Sequence, residues 1–259
     1  VLDHELERLA DHRVEEVAVV RDDDDRAGVV VQRILQDLLR LHGLRGGRPE
    51  NFHEYFAIQL NDTHPTIAVA ELMRLLMDQH NLEWDAAWEI TNSTMAYTNH
   101  TLLPEALETW AVRLFERFLP RHLELIYEIN QRHLDDVRLV FHGDNRKIAE
   151  LSLVDEQGEK YVRMANLACA GSHRINGVAD IHRELVKSTV LKPFFELSPK
   201  KFTNVTNGVT PRRFLLKSNL PLAKLITERL ETREWVRDLT LLQGLEASAD
   251  DAAFQQQWR

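Results

Sequence analysis

Met95 to Trp110 reads MAYTNHTLLPEALETW. Met95 to Thr98 is an extended run, and Asn99-His100-Thr101 follows as a polar knot. Pro104 suits the first turn of a helix, because it has no N–H to leave unsatisfied and its φ is already helical. A helix opened there is predicted to reach Leu119, with Leu107, Ala111, Leu114, Phe115 and Phe118 inward. Glu105 and Glu108, three residues apart, would share one of its faces. A strand end, a polar turn and a helix start thus meet, the junction at which α/β proteins hold ligands.

The pattern recurs on either side. Phe56 to Leu60 reads as a buried strand ended by Asn61-Asp62. Pro65 then starts a helix whose apolar stripe is Val69, Leu72, Met73, Leu76 and Met77, with Glu71, Arg74 and Asp78 on the other side. Asp62 and His64 lie between the two, where Asp and Thr also serve as caps. Phe202 to Val205 is a further short strand, followed by Thr206-Asn207-Gly208 and a segment opened by Pro211. The knots at Asn61, Asn99 and Thr206 predict one sheet whose strand ends point at one cleft.

The remaining elements are read more coarsely. Val29 to Leu41 carries a helical stripe of Val30, Ile34, Leu35, Leu38 and Leu39, and Gly43 to Pro49 is a Gly-rich linker. Trp84 to Asn92 is a helix with Asp85 as its cap, and another runs from Arg121 to Val140 behind Pro120. Arg121 and His122 are expected to be structural rather than an anion site. Lys160 to Met164 is a strand; Asn166 to Val190 alternates small and apolar residues, with helical character in its second half. His173 within it is expected to be a satisfied core histidine. Leu2 to Val20 would form a charged amphipathic helix. Asp22 to Asp25 is a solvated loop, lacking the glycine and alternating ligands of a calcium site.

Composition narrows the function classes. A net charge of -9 with the acidic excess spread along 259 residues argues against a nucleic-acid partner. The one cysteine, Cys169, cannot form an internal disulfide and fits a reducing, cytoplasmic setting. No apolar run approaches the roughly 18 residues that span a bilayer. Without secretion, the sequons at Asn61, Asn92, Asn99 and Asn204 are accidental. Dinucleotide, P-loop, zincin and Ser-nucleophile motifs are absent, and the 12 histidines show no clustered metal-ligand spacing. The carboxylates Asp62, Glu105 and Glu108 are the strongest chemical candidates by residue type, a set that a glycosidase could use.

AYTNHTLLPEALETW resembles a signature of the α-glucan phosphorylases. So do FAIQLNDTHPTIAVAELMR at Phe56, LPRHLELIYEIN at Leu119, AGSHRINGVADIH at Ala170 and FTNVTNGVTPRRF at Phe202, in the family's order. The resemblance implies an α/β, helix-rich, partial Rossmann-like domain of glycosyltransferase-B type with a short parallel sheet. Residues 29–259 would be part of its N-terminal glucan-binding domain, with 1–28 unassigned and the C-terminal cofactor domain absent. The family cleaves terminal α-1,4 bonds with inorganic phosphate, retaining configuration, through an oxocarbenium-like transition state. It gives glucose 1-phosphate. His100 and Asn207 would be catalytic: both would contact the sugar's 6-hydroxyl, and the His100 carbonyl would face the developing positive charge. Asp62, His64, Tyr97, Thr101 and Glu108 would bind substrate or support the residues that do. Pyridoxal phosphate would serve the full enzyme, with its attachment lysine outside this chain, and the full enzyme would be a homodimer. The chain alone is expected to be inactive. Ala70 and Phe214 stand where the family commonly has proline and tryptophan. The alternatives are a non-catalytic glucan-binding remnant and, less favoured, the glycosidase.

Overall fold

The computed structural model describes the backbone of Glu16–Val20 and residues 27–259. These fall into two compact units that divide after Thr206. The first is built on a parallel sheet in the order β1-β2-β3-β7-β8. Its strands are β1 (Glu16–Val20), β2 (Phe56–Asn61), β3 (Met95–Thr98), β7 (Arg174–Gly177) and β8 (Phe202–Asn204). A smaller antiparallel ladder, β4-β6-β5, comprises β4 (Thr109–Ala111), β5 (Val154–Asp155) and β6 (Tyr161–Arg163).

Register explains the core. Leu60 lies beside Tyr97 and Tyr97 beside Ile175, and all are almost fully buried. Helices cover the sheet, as parallel strands require. They are α1 (Ala27–Leu44), α2 (Ala68–Arg74), α3 (Trp84–Thr94), α4 (Val112–Phe118), α5 (Pro120–Val140), α6 (Asn145–Leu151), α7 (Met164–Gly171), α8 (Asp180–Ser188) and α9 (Lys192–Leu197). The helix-rich α/β architecture with a short parallel sheet is the expected one.

Several local expectations are corrected. Glu16–Val20 is a strand, not the end of a helix over Leu2 to Val20; EVAVV is rich in β-branched residues and pairs along β2. The rest of that segment and Asp22 to Asp25 lie outside the described residues. In α1 the buried stripe is Val31, Leu35, Leu38 and Leu39, while Val30 is exposed. The linker after it continues into a short 3-10 turn, Pro49–Glu54.

The helix expected from Pro104 to Leu119 is not one helix. Pro104–Ala106 forms a single 3-10 turn, and the chain is extended again at Leu107. The Glu108 carbonyl accepts from Met164 N–H at 3.0 Å, and Val112 N–H donates to Lys160 O at 2.9 Å. The antiparallel ladder therefore claims the backbone groups a helix would have used. Helix resumes at Val112, with Phe115 buried but Leu114 and Phe118 exposed. Within Asn166 to Val190, two helices enclose β7, which the small residues of the sequence concealed.

Helix α2 starts at Ala68, without a side-chain cap and one turn after Pro65. It is buried on every side, so Glu71, expected outside, is wholly enclosed. Arg74 makes two bonds of 2.8 Å to its carboxylate, and His122 Nε2 approaches at 2.7 Å. Asp85 likewise caps nothing at α3; it is exposed and pairs with Arg132.

The second unit, Asn207–Arg259, contains α10 (Pro211–Leu216), α11 (Leu220–Leu230) and α12 (Ala252–Trp258). Trp235 is fully buried there against Ala223 and Ile226, and its indole N–H donates to Thr227 Oγ1 at 3.0 Å.

Candidate functional site

Parallel pairing places the C-terminal ends of four strands in one row. Asn61 is level with Thr98, Thr98 with Asn176, and Gly177 with Asn204. The row is stitched by polar side chains. Gln59 Nε2 donates to Thr98 Oγ1 at 2.8 Å, and Thr98 Oγ1 donates to Asn176 Oδ1 at 2.9 Å. Pairing outlasts the strands: Asp62 N–H reaches Thr98 O and Asn99 N–H reaches Asn176 O, both at 3.0 Å.

Just past that row the chain turns. Asp62 adopts φ 67°, a left-handed conformation that aspartate tolerates better than most residues. Its Oδ1 accepts from Thr63 N–H at 2.7 Å, so it holds the turn rather than capping α2. Thr63 is fully buried, and its hydroxyl donates to Glu108 Oε2 at 2.6 Å. His64 Nδ1 lies 3.1 Å from the same oxygen, with His64 46% and Glu108 29% exposed. Glu108 thus folds back from the loop before β4 onto the end of β2.

His100 is exposed, and its Nε2 sits 2.6 Å from Asn61 Oδ1. Thr101 Oγ1 accepts from Leu103 N–H at 3.0 Å, which bends the chain away from the strand. Beneath them Tyr97 is fully buried; its hydroxyl accepts from Asn99 Nδ2 at 3.2 Å. Tyr97 therefore supports the knot from below and presents no surface to a ligand. Burial holds its phenol well above the ordinary pKa. Asn99 Oδ1 and Asn204 Oδ1 are buried without a partner among the described residues.

At the end of β7, His182 Nδ1 accepts from Val178 N–H at 3.1 Å. Burial pushes this imidazole down; the Thr101 carbonyl opposes that and neighbouring His100 adds to it. Gly177 is needed at this point, since a Cβ would meet Arg183 N and His182 Nδ1 at 2.9 Å.

The structure therefore brings together Asp62, His64, His100, Thr101 and Glu108, over Tyr97. Asn207 belongs to the second unit, where it is exposed. Glu105 is exposed in the 3-10 turn and shares no helix face with Glu108. Asp62 accepts from its own turn and Glu108 from Thr63, and no observation favours the carboxylate set of a glycosidase. Sequence reading placed Asn61 in a knot without giving it a role and missed Thr63, Asn176 and His182; the small residues between Asn166 and Gly177 hid the strand that delivers Asn176. His173 is satisfied as expected, with Nδ1 2.7 Å from Met95 O. Arg121 pairs with Asp78 and Glu124, a structural role. Among the described residues no group of three His, Cys, Asp or Glu could hold a metal ion, and no helix is long and apolar enough to cross a membrane.

Histidine, amide and hydroxyl groups, with one half-buried carboxylate, at the ends of parallel strands suit a polyhydroxylated ligand. The chain belongs to the carbohydrate phosphorylase family, which matches residues 29–259. It is similar to the glycogen phosphorylase of Synechocystis sp., 58% identical over 86% of this chain and 26% of that protein. The muscle form of glycogen phosphorylase from Oryctolagus cuniculus is 51% identical over 87% of this chain and 28% of its own length. Glycogen phosphorylase 2 of Dictyostelium discoideum is 49% identical over 88% and 23%. The chain thus spans about a quarter of the length of these relatives.

Proposed function

We propose that this chain supplies the glucan-facing strand ends of an α-glucan phosphorylase. The whole enzyme would cleave terminal α-1,4 bonds with inorganic phosphate, retaining configuration, to release glucose 1-phosphate. The carrying observation is the pair of histidines held beside one row of strand ends, His100 by Asn61 and His64 by Glu108. His100 would contact the 6-hydroxyl of the reacting sugar, and its carbonyl would face the positive charge that develops on the ring. Thr101 would be a neighbour in the glucose site, and Asn207, in the second unit, is a proposed sugar contact. Asp62, His64 and Glu108 would serve the acceptor side of the cleft, with Tyr97 beneath.

Pyridoxal phosphate is the cofactor that the reading implies, in a cytoplasmic dimer. Several described lysines are committed to the fold. Lys201, the one whose ammonium is destabilised by burial, donates to Cys169 O and Ala170 O at 3.2 and 3.4 Å. Lys147, Lys160 and Lys187 are engaged with carboxylates. In this proposal the cofactor is held by residues other than those described.

Titration of the isotopically labelled chain with maltoheptaose tests the reading. Amide shifts should move at residues 62–64 and 99–101, and His100→Ala should weaken binding about tenfold, the value of one ordinary hydrogen bond. Perturbations confined to other surfaces would sink it. In parallel, the chain with maltoheptaose, phosphate and pyridoxal phosphate should release no glucose 1-phosphate by itself. Free glucose without phosphate would revive hydrolysis.

A further inference from the structure

A cavity of about 560 Å³ lies at the other end of the sheet, against the N-terminal ends of β7 and β8. Part of its wall is aromatic: Trp84 and Trp88 come from α3 and Phe194 from α9. Arg132 sits over the Trp84 ring, 4.8 Å from its centroid. The His133 ring lies nearly parallel to Phe194, with centroids 5.7 Å apart. An aromatic wall with a few polar groups, at this volume, is what small organic ligands occupy.

Two polar groups of the lining are short of partners. Lys201, just before β8, is partly buried, and an ammonium has three donors. Two reach Cys169 O and Ala170 O at 3.2 and 3.4 Å, and Ala170 O already accepts from Asn92 Nδ2 at 2.9 Å. The third finds no acceptor among the described residues. The acidic residues of the lining, Asp85 and Asp136, are exposed, and Asp85 is paired with Arg132 at 3.1 Å. Burial pushes the Lys201 pKa down, and Cys169 alone opposes it, with no carboxylate acting on the ammonium. A charge removed from water without a counter-charge is costly. His133 Nε2 is also buried without a partner among the described residues.

We infer that this cavity is a ligand site for a small planar aromatic carboxylate, with the ring against Trp88 and Phe194 and the carboxylate on Lys201 Nζ. The aromatic wall suits a flat apolar body, and the unpaired ammonium selects for a negative charge. A neutral glucan supplies no such charge. The inference does not rest on the glucan reading, because no residue of the strand-end row lines this cavity.

The test is titration of the full chain with 2-naphthoate and, separately, with neutral 2-naphthamide, read by calorimetry and by the indole N–H signals of Trp84 and Trp88. Trp84→Phe and Trp88→Phe assign those signals. 2-Naphthoate should saturate with a Kd of about 1 mM or tighter, as a ligand of its size allows, and should move both indoles. The amide should bind at least about tenfold more weakly, the low end of what a charge-assisted hydrogen bond provides. Lys201→Met should weaken 2-naphthoate to the level of the amide and leave the amide unchanged. Residues 62–64 and 99–101 should stay still, and maltoheptaose should not displace the acid. Absence of saturation by about 10 mM overturns the inference. So do unmoved indoles, an amide that binds as well as the acid, or displacement by maltoheptaose. The comparison of acid with amide uses the unsubstituted chain, so it decides the matter even if Lys201→Met does not fold.

Discussion

Two glutamate–histidine pairs in this chain share their chemistry and differ in burial. Glu71 meets His122 at 2.7 Å with the side chains 0% and 4% exposed, and Arg74 closes the group. Glu108 meets His64 at 3.1 Å with the side chains 29% and 46% exposed, and Thr63 closes that one. The first lies between α2 and α5, away from any strand end, and ties two helices together. The second lies just past the C-terminal end of β2, in contact with water. An ion pair out of water is committed to the fold, since losing one partner strands the others. A pair still in contact with water contributes little to stability and is free to serve a ligand.

The largest expected effect follows from the enclosed pair. Glu71→Ala leaves Arg74 and His122 facing an uncompensated cavity and should lower unfolding stability by about 3–5 kcal/mol, read by urea or thermal denaturation. The same pair has a pH signature. Burial alone would raise the Glu71 pKa, but the bonds from Arg74 and His122 outweigh it and hold the carboxyl below its ordinary value. A depressed carboxylate stabilises the fold above its unfolded pKa of 4.5 and loses that contribution as pH falls through the folded value. Unfolding free energy should therefore drop below about pH 4.5, and that drop should be smaller in Glu71→Gln.

His133 gives the next effect. Burial, aided by Lys201 and opposed by the Leu151 carbonyl, pushes its pKa down to about 4. The unfolded chain therefore takes up a proton that the folded chain refuses, and stability falls as pH drops from about 6.5 to about 4. The fall attributable to this ring is at most about 3 kcal/mol, at 1.36 kcal/mol per pKa unit. Urea denaturation of His133→Gln should show a flatter acid limb over that interval.

Glu108→Gln is the counterpart on the open pair. Its stability should change by less than about 1 kcal/mol, since both partners remain in contact with water. Maltoheptaose affinity should fall severalfold, measured by calorimetry. A large loss of stability with affinity intact would make this pair structural like the first. Smallest of all, Glu105→Gln should move stability by no more than about 0.5 kcal/mol and leave sugar binding unchanged.

Strand existence was legible wherever a short apolar run met a polar stop, as in Phe56–Asn61 and Met95–Thr98. The motif at Asn99-His100-Thr101 pointed to the strand-end row before any geometry was known. Helix placement after Pro104 was not legible, because the competing partner for that backbone, Lys160 to Met164, lies about fifty residues away. Glu71 was misplaced for a related reason: a stripe implies an outer face, and α2 has none.

Residue type and order alone determined the family, the alternation of strand and helix, and most of the polar residues at the strand ends. Periodicity and turn chemistry are local, so a single chain carries them openly. Only the tertiary structure decided which carboxylates are spent on the fold and that Tyr97 lies beneath the site. Those outcomes depend on partners distant in sequence, Glu71 with His122 and Asn61 with His100, whose meeting is fixed by sheet register and helix packing.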